Sequence, residues 1–193
     1  MPLFSNGHSF PLGETIQGTM DGNIVNRELE GAEAVITFEQ GLGGGPELFE
    51  ERVRHPAVVR IIRNTSGGAL LPGEIATLDI EEGVSGLGHA DAKSSANDKH
   101  VVIVDPTLPA AGVADDDLFI GFVKGPTKIK FPSGGLTLTG GNLLRAGASG
   151  RAALAETGAG TSRNVIATAL SGAEADSANE NALRPVLLHP IYA

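Results

Sequence analysis

The histidines are the residues with the most obvious capacity for acid–base or metal chemistry: His8, His55, His89, His100 and His189. They stand far apart, and no H-x-x-x-H or H-E-x-x-H spacing places two imidazoles on one helix face. A metal centre would have to be assembled by the fold. The chain has no cysteine, which removes disulfides and thiolate ligands and leaves the compartment open. His89-Ala90-Asp91 and Asp98-Lys99-His100 set a base beside a carboxylate, but in a polar stretch from Gly83 to Lys99, where they read as solvated surface groups. Asp115-Asp116-Asp117 lacks the alternating acids and terminal Glu of a calcium loop and reads as a solvated turn. Gly147-Ala148-Ser149-Gly150 misses the G-x-S-x-G pattern of a nucleophile elbow. Paired glycosidase carboxylates are defined by a separation in space, which sequence does not give.

A glycine run offers a second chemistry. Gly41-Leu42-Gly43-Gly44-Gly45 follows a candidate strand, Ala34 to Phe38, and precedes Pro46 to Val53, whose proline and early acids suit the start of a helix. Strand, glycine loop and helix is the dinucleotide-binding order. The details fail: Pro46 stands where the third glycine of G-x-G-x-x-G belongs, no Lys-Ser or Lys-Thr follows, and Glu47, Glu50 and Glu51 would repel phosphate. The run reads as a flexible hinge, and the sequence implies no cofactor, no catalytic residue and no metal ligand.

The elements that would position any site are short and extended. Between Ala57 and Ile80, β-branched residues Val58, Val59, Ile61 and Ile62 give way to the turn residues Asn64-Thr65-Ser66-Gly67-Gly68, then to a Pro72-Gly73 bend, then to Ile75 through Ile80. This predicts strand, turn, strand, a central hairpin. Further strands are predicted at Val101 to Val104, Leu118 to Val123, Lys128 to Phe131, Leu136 to Thr139, Asn142 to Arg145, Val165 to Leu170 and Arg184 to Ile191, with Gly140-Gly141 as a hairpin signal. Glu174 to Ala182 fits a helical turn or an acidic loop. Glycine and proline, at 27 and 11 residues, exclude a mostly helical chain, while 41% hydrophobic content argues against wholesale disorder.

These features predict a mainly β fold, a small β-barrel or sandwich with short helical segments and an extended N-terminal arm. Residues 1–56 form the arm and glycine-hinged segment and residues 57–193 the β-rich body. Leu3, Phe4, Phe10, Leu12 and Ile16 are scattered among polar and turn residues with no lasting period, so the local pattern cannot bury them. They are expected to dock on a larger partner or a neighbouring protomer, unless the terminus is simply frayed. A net charge of −9 opposes contact with a phosphate backbone, so no nucleic acid is expected. No basic start with an apolar run, and no apolar stretch of membrane-spanning length, is present in the sequence, which points to a soluble chain made in the cytoplasm without a membrane partner.

The order Leu136-Thr137-Leu138-Thr139, Asn142 through Arg151, Val165 through Leu170 and Val186-Leu187-Leu188 resembles the closing β-segments of tailed-bacteriophage capsid decoration (cement) proteins. Asn64-Thr65-Ser66-Gly67, followed by Pro72-Gly73, resembles their turn pair. The resemblance implies a non-enzymatic, β-rich virion protein, often a homotrimer, on the outer surface of the head, bridging subunits of the major capsid protein. Two other classes stand beside it. One is a β-barrel binding module showing the Gly83 to Lys99 and Thr157 to Arg163 loops to a receptor or glycan; the other is a hydrolase with a site dispersed over loops.

Overall fold

The computed structural model describes residues 4–36, 56–79, 88–95, 98–131, 139–155, 164–170 and 183–189. Within these, the strands in chain order are β1 (Thr19–Met20), β2 (Asn23–Ile24), β3 (Glu33–Ile36), β4 (Ala57–Asn64), β5 (Ile75–Leu78), β6 (His89–Lys93), β7 (Val101–Val104), β8 (Leu118–Lys130), β9 (Leu143–Ala146), β10 (Ala152–Leu154), β11 (Val165–Ala169) and β12 (Leu183–Leu188). The helical turns that lie wholly within the described residues are Arg27–Leu29 and Ala148–Gly150. The fold is therefore mainly β, as the aliphatic runs predict.

β8 is the spine. It joins the separately predicted Leu118 to Val123 and Lys128 to Phe131 strands into one of 13 residues, running through Gly125-Pro126. Its first half, Leu118 to Lys124, pairs antiparallel with β4; its second half, Gly125 to Lys130, pairs antiparallel with β12. β7 also pairs with it, at Gly121 and Phe122. The result is a ten-stranded sheet in the order β10-β9-β11-β12-β8-β7-β5-β6-β4-β3 that folds back through the added β8–β4 pairing. The links that turn the corner are thin: β4 meets β6 over Arg63↔His89 and Asn64↔Ala90 alone. The architecture is sandwich-like and not a closed barrel.

Both faces of the central strands are covered, which is why their sequences read as unbroken apolar runs. Val59 and Ile61 of β4, Ile103 of β7 and Leu118, Ile120 and Phe122 of β8 pack on one side. Ile62, Val102, Val104 and Phe119 pack on the other, with Leu70, Leu78 and Val113. Burying each Phe contributes about 1.5–3 kcal/mol. Gly121 is fixed by this packing, since an added Cβ would lie 2.2 Å from a Val102 methyl and 3.0 Å from Ile62.

Two expectations are corrected here. The strands on either side of Asn64 and Ile75 form, but they make no hairpin: β5 pairs with β6 and β7, while the parallel strand β6 takes the place beside the end of β4. The connecting chain detours because Leu70 is buried and bridges Val113. The polar Gly83 to Lys99 stretch is not all loop, since His89–Lys93 is a strand with Ala90 buried. Within residues 1–56, expected as an arm and glycine-hinged segment, β3 pairs with β4 throughout, Ile16 bridges Leu118, and Phe4 is buried. The Gly41 to Val53 segment, the Leu136 to Thr139 strand, the Glu174 to Ala182 segment and the Thr157 to Arg163 loop lie wholly or almost wholly outside the described residues.

Candidate interaction surface

Two arginines and an asparagine on β4 fix the N-terminal segment and the loops around it. Arg63 is buried, and its guanidinium pairs with Glu30 while donating to the carbonyls of Gly18 (3.0 Å), Asp116 (2.6 Å) and Val25 (2.7 Å). Glu30 also meets His89 Nε2 at 3.0 Å. Arg60 pairs with Glu33 of β3. Gly18 has no room for a side chain, because a Cβ there would sit on the Asp116 carbonyl, and its N–H donates to Asp117 Oδ1 at 2.9 Å.

Asn64, at the end of β4, is fully buried. Its Nδ2 donates to the carbonyls of Gly68 (2.7 Å), Val113 (3.1 Å) and Ala114 (3.0 Å), and its Oδ1 accepts from the Ser66 N–H and hydroxyl. One side chain therefore shapes the Asn64 to Gly68 turn and ties it to the Val113 to Asp117 loop. Asp105 does the same at the end of β7, accepting from Gly13 N–H (2.7 Å), Thr107 N–H (2.9 Å) and the Thr107 hydroxyl (2.6 Å). Burial raises the Asp105 carboxyl above the usual aspartate range, and these hydrogen bonds only partly offset it. Asp98 goes the other way: burial pushes it up, but hydrogen bonds from Thr77 and Ser95 outweigh that and hold it below its ordinary value.

Of the residues expected to dock on a partner, Leu3 lies outside the described residues. Phe4 and Phe10, at 2% and 7% exposure, sit in the core of the chain's own body, and Leu12 and Ile16 pack half-buried against the same core. The segment is buried by residues far along the chain, which a search for local periodicity does not register. In this conformation neither phenylalanine ring is presented outward.

The apolar side chains that do face outward lie elsewhere. β1 and β2 form a two-stranded hairpin whose turn, Asp21-Gly22, has both residues at positive φ (50° and 76°). It carries Met20 at 61% exposure and Ile24 at 44%. An Asp-Gly pair is the usual sequence signal for such a turn, so this hairpin was legible in the residues. Val35 on β3, at the end of the sheet order, is 66% exposed, and Leu143 and Leu170 are partly so.

The groups weighed for chemistry are largely engaged in holding structure. The Asp115 and Asp117 carboxylates accept from the Gly67 and Gly18 N–H groups, and His189 Nε2 meets the Thr168 hydroxyl at 2.7 Å. Ser149 lies in the turn between β9 and β10 at φ 58°. No group of three or more His, Cys, Asp or Glu among the described residues is disposed to hold a metal. No described helix is long and apolar enough to cross a membrane.

No protein family matches this chain, and no curated protein matches it. Among solved structures, the N base of the head fiber gp8.5 of bacteriophage phi29 is similar, at 15% identity, over 69% of this chain and 95% of that one, with a TM-score of 0.38.

Proposed function

We propose that this chain is a structural virion protein that decorates the outside of a phage head as a homotrimer and reinforces contacts between major capsid subunits. The observation that supports the reading best is the conformation of the residues that carry the cement-protein resemblance. The Asn64 to Gly68 turn is closed by the Asn64 side chain, and the Pro72-Gly73 bend has Gly73 at φ +72°. The closing segments are paired strands: β10 on β9, β9 on β11, β11 on β12, and β12 on the spine β8. A rigid β body with its polar side chains engaged internally suits a protein that works by contact.

Attachment is assigned to the β1–β2 hairpin, because Met20 and Ile24 are exposed while Phe4 and Phe10 are committed to the core. Two small anchors repeated over three protomers bind through multivalency even when each contact is weak. The test is co-pelleting with undecorated phage capsids, together with mass photometry of the free protein. A trimer that pellets with capsids, and a Met20→Asp/Ile24→Asp variant that stays folded but remains in the supernatant, are expected. A monomer that never pellets overturns the function. A double variant that pellets as well as the parent overturns only the attachment site.

A further inference from the structure

Spontaneous backbone chemistry concentrates where Asn or Asp is followed by glycine. The glycine nitrogen closes a five-membered imide on the preceding side-chain carbonyl carbon, and no Cβ hinders its approach. The chain has one Asn-Gly pair, Asn6-Gly7, and one Asp-Gly pair, Asp21-Gly22. Asn6-Gly7 is held at both reacting groups. Asn6 Nδ2 donates to the Glu28 carbonyl at 3.1 Å and its Oδ1 accepts the His8 N–H at 3.2 Å, while the Gly7 N–H donates to the carbonyl of the buried Phe4 at 2.9 Å.

Asp21-Gly22 is the exposed tip of the β1–β2 hairpin. Among the described residues, neither the Asp21 carboxylate nor the Gly22 N–H makes a hydrogen bond; only the Asp21 carbonyl is engaged, by Asn23 Nδ2 at 3.4 Å. Nothing lies within 4 Å of a Cβ built on Gly22. The ladder behind the tip is two residue pairs long, Thr19↔Ile24 and Met20↔Asn23. An element with so few contacts opens locally at low free energy, which gives the Asp21–Gly22 peptide the rotation that ring closure needs.

We propose that Asp21 is a site of spontaneous isomerisation to isoaspartate, and that the fold directs this chemistry to Asp21 while withholding deamidation from Asn6. The Gly22 nitrogen bonds to Asp21 Cγ, and the Cγ hydroxyl leaves with the nitrogen's proton as water. Water then adds to the imide at the Asp21 main-chain carbonyl, breaking its bond to nitrogen. The chain now runs through Cβ and Cγ, and the former main-chain carbonyl is a free carboxylate. A two-residue turn that gains a backbone carbon no longer matches the register of its strands. Met20 and Ile24 flank that turn, so modification would remodel the attachment surface with age; this consequence rests on the function proposed above, whereas the ring closure does not.

The experiment incubates the full chain at neutral pH, folded and unfolded in urea, and maps isoaspartate by peptide with an isoaspartyl-specific carboxyl methyltransferase and labelled S-adenosylmethionine. In the folded chain, label should accumulate in the peptide containing Asp21-Gly22, with amide NMR shifts at Met20, Asn23 and Ile24 on the same time course. The Asn6-Gly7 peptide should gain label in urea and far more slowly when folded. Asp21→Glu should lose the label, because its ring would have six members. Asp21→Asn, which suits the same positive φ, should label faster through the same imide, with release of ammonia. No label at Asp21-Gly22 in the folded chain, over a period in which the urea-unfolded chain acquires it there, overturns the site. Label at Asn6-Gly7 as fast in the folded chain as in urea overturns the protection.

Discussion

The two halves of the sheet are held by different means. Around β3 to β8, loops from distant parts of the chain are fixed by buried polar side chains: Arg63 reaches Gly18, Val25 and Asp116, Asn64 reaches Gly68, Val113 and Ala114, and Asp105 reaches Gly13. Across β9 to β12, neighbouring strands pair in ladders over an aliphatic face of Leu144, Ala146, Ala152, Ile166, Ala167, Ala169, Val186 and Leu188. A ladder satisfies the backbone groups of strands, but irregular loops packed together have no ladder and need side chains to cap their carbonyls. Buried polar residues therefore mark the part of the fold made of crossings and loops.

The largest expected effect breaks the polar half. Arg63→Ala orphans three carbonyls and leaves Glu30 with His89 alone, and removing one partner of a buried ion pair costs about 3–5 kcal/mol. Urea unfolding should show that loss, and limited proteolysis should cut first within residues 4–30. Unchanged stability would mean that Arg63 is not what holds the segment. In the ladder half, Leu144→Ala opens a cavity and should cost about 2–4 kcal/mol, with the same proteolysis pattern as the parent. Asn64→Ala orphans several carbonyls and should cost about 1–3 kcal/mol.

Thr127 gives a change of opposite sign, because its buried hydroxyl has no hydrogen-bond partner among the described residues. Thr127→Val keeps the shape, removes the orphan and should stabilise by about 1 kcal/mol; a loss on urea titration would show that the hydroxyl is satisfied.

The smallest effect is a pH slope that distinguishes two aspartates. Asp105 has a folded-state value raised above the unfolded 3.8, so its contribution is smallest at neutral pH, grows as pH falls through the folded value and is complete below 3.8. Asp98 is lowered, so its contribution is present above 3.8 and disappears as pH falls through its folded value. Relative to the parent, Asp105→Asn should therefore cost more as pH falls from 7 toward 3.8, and Asp98→Asn should cost less as pH falls below 3.8. Parallel slopes for both variants would contradict the assignment.

This division also accounts for what was legible in the sequence. Val101 to Val104, Leu118 to Val123 and Val165 to Ala169 are aliphatic runs bounded by turn residues, and each is a strand as predicted. Strand partners were not legible. The turn residues Asn64 to Gly68 suggested a hairpin, yet they serve a loop that Asn64 holds for other neighbours. β6 was missed because its sequence, His-Ala-Asp-Ala-Lys, buries little beyond Ala90 and is defined by its pairing with β4 and β5. Phe4 and Phe10 were read as unburied because no local period sets them on one face, yet both join a core cluster that extends to Leu188. The Met20 and Ile24 surface could have been anticipated from Asp21-Gly22.

Gly18 and Asp117 are 99 residues apart in sequence, and Gly13 and Asp105 are 92 apart. These separations order events during synthesis. Residues 13–18 leave the ribosome before the Asp105 and Asp117 carboxylates and the Leu118 backbone that receive them, which come more than eighty residues later. At about 5–20 residues per second the segment waits roughly 4–16 s before its seat exists. Throughout that interval these contacts cannot form, so a stretch made early is among the last to be fixed in place.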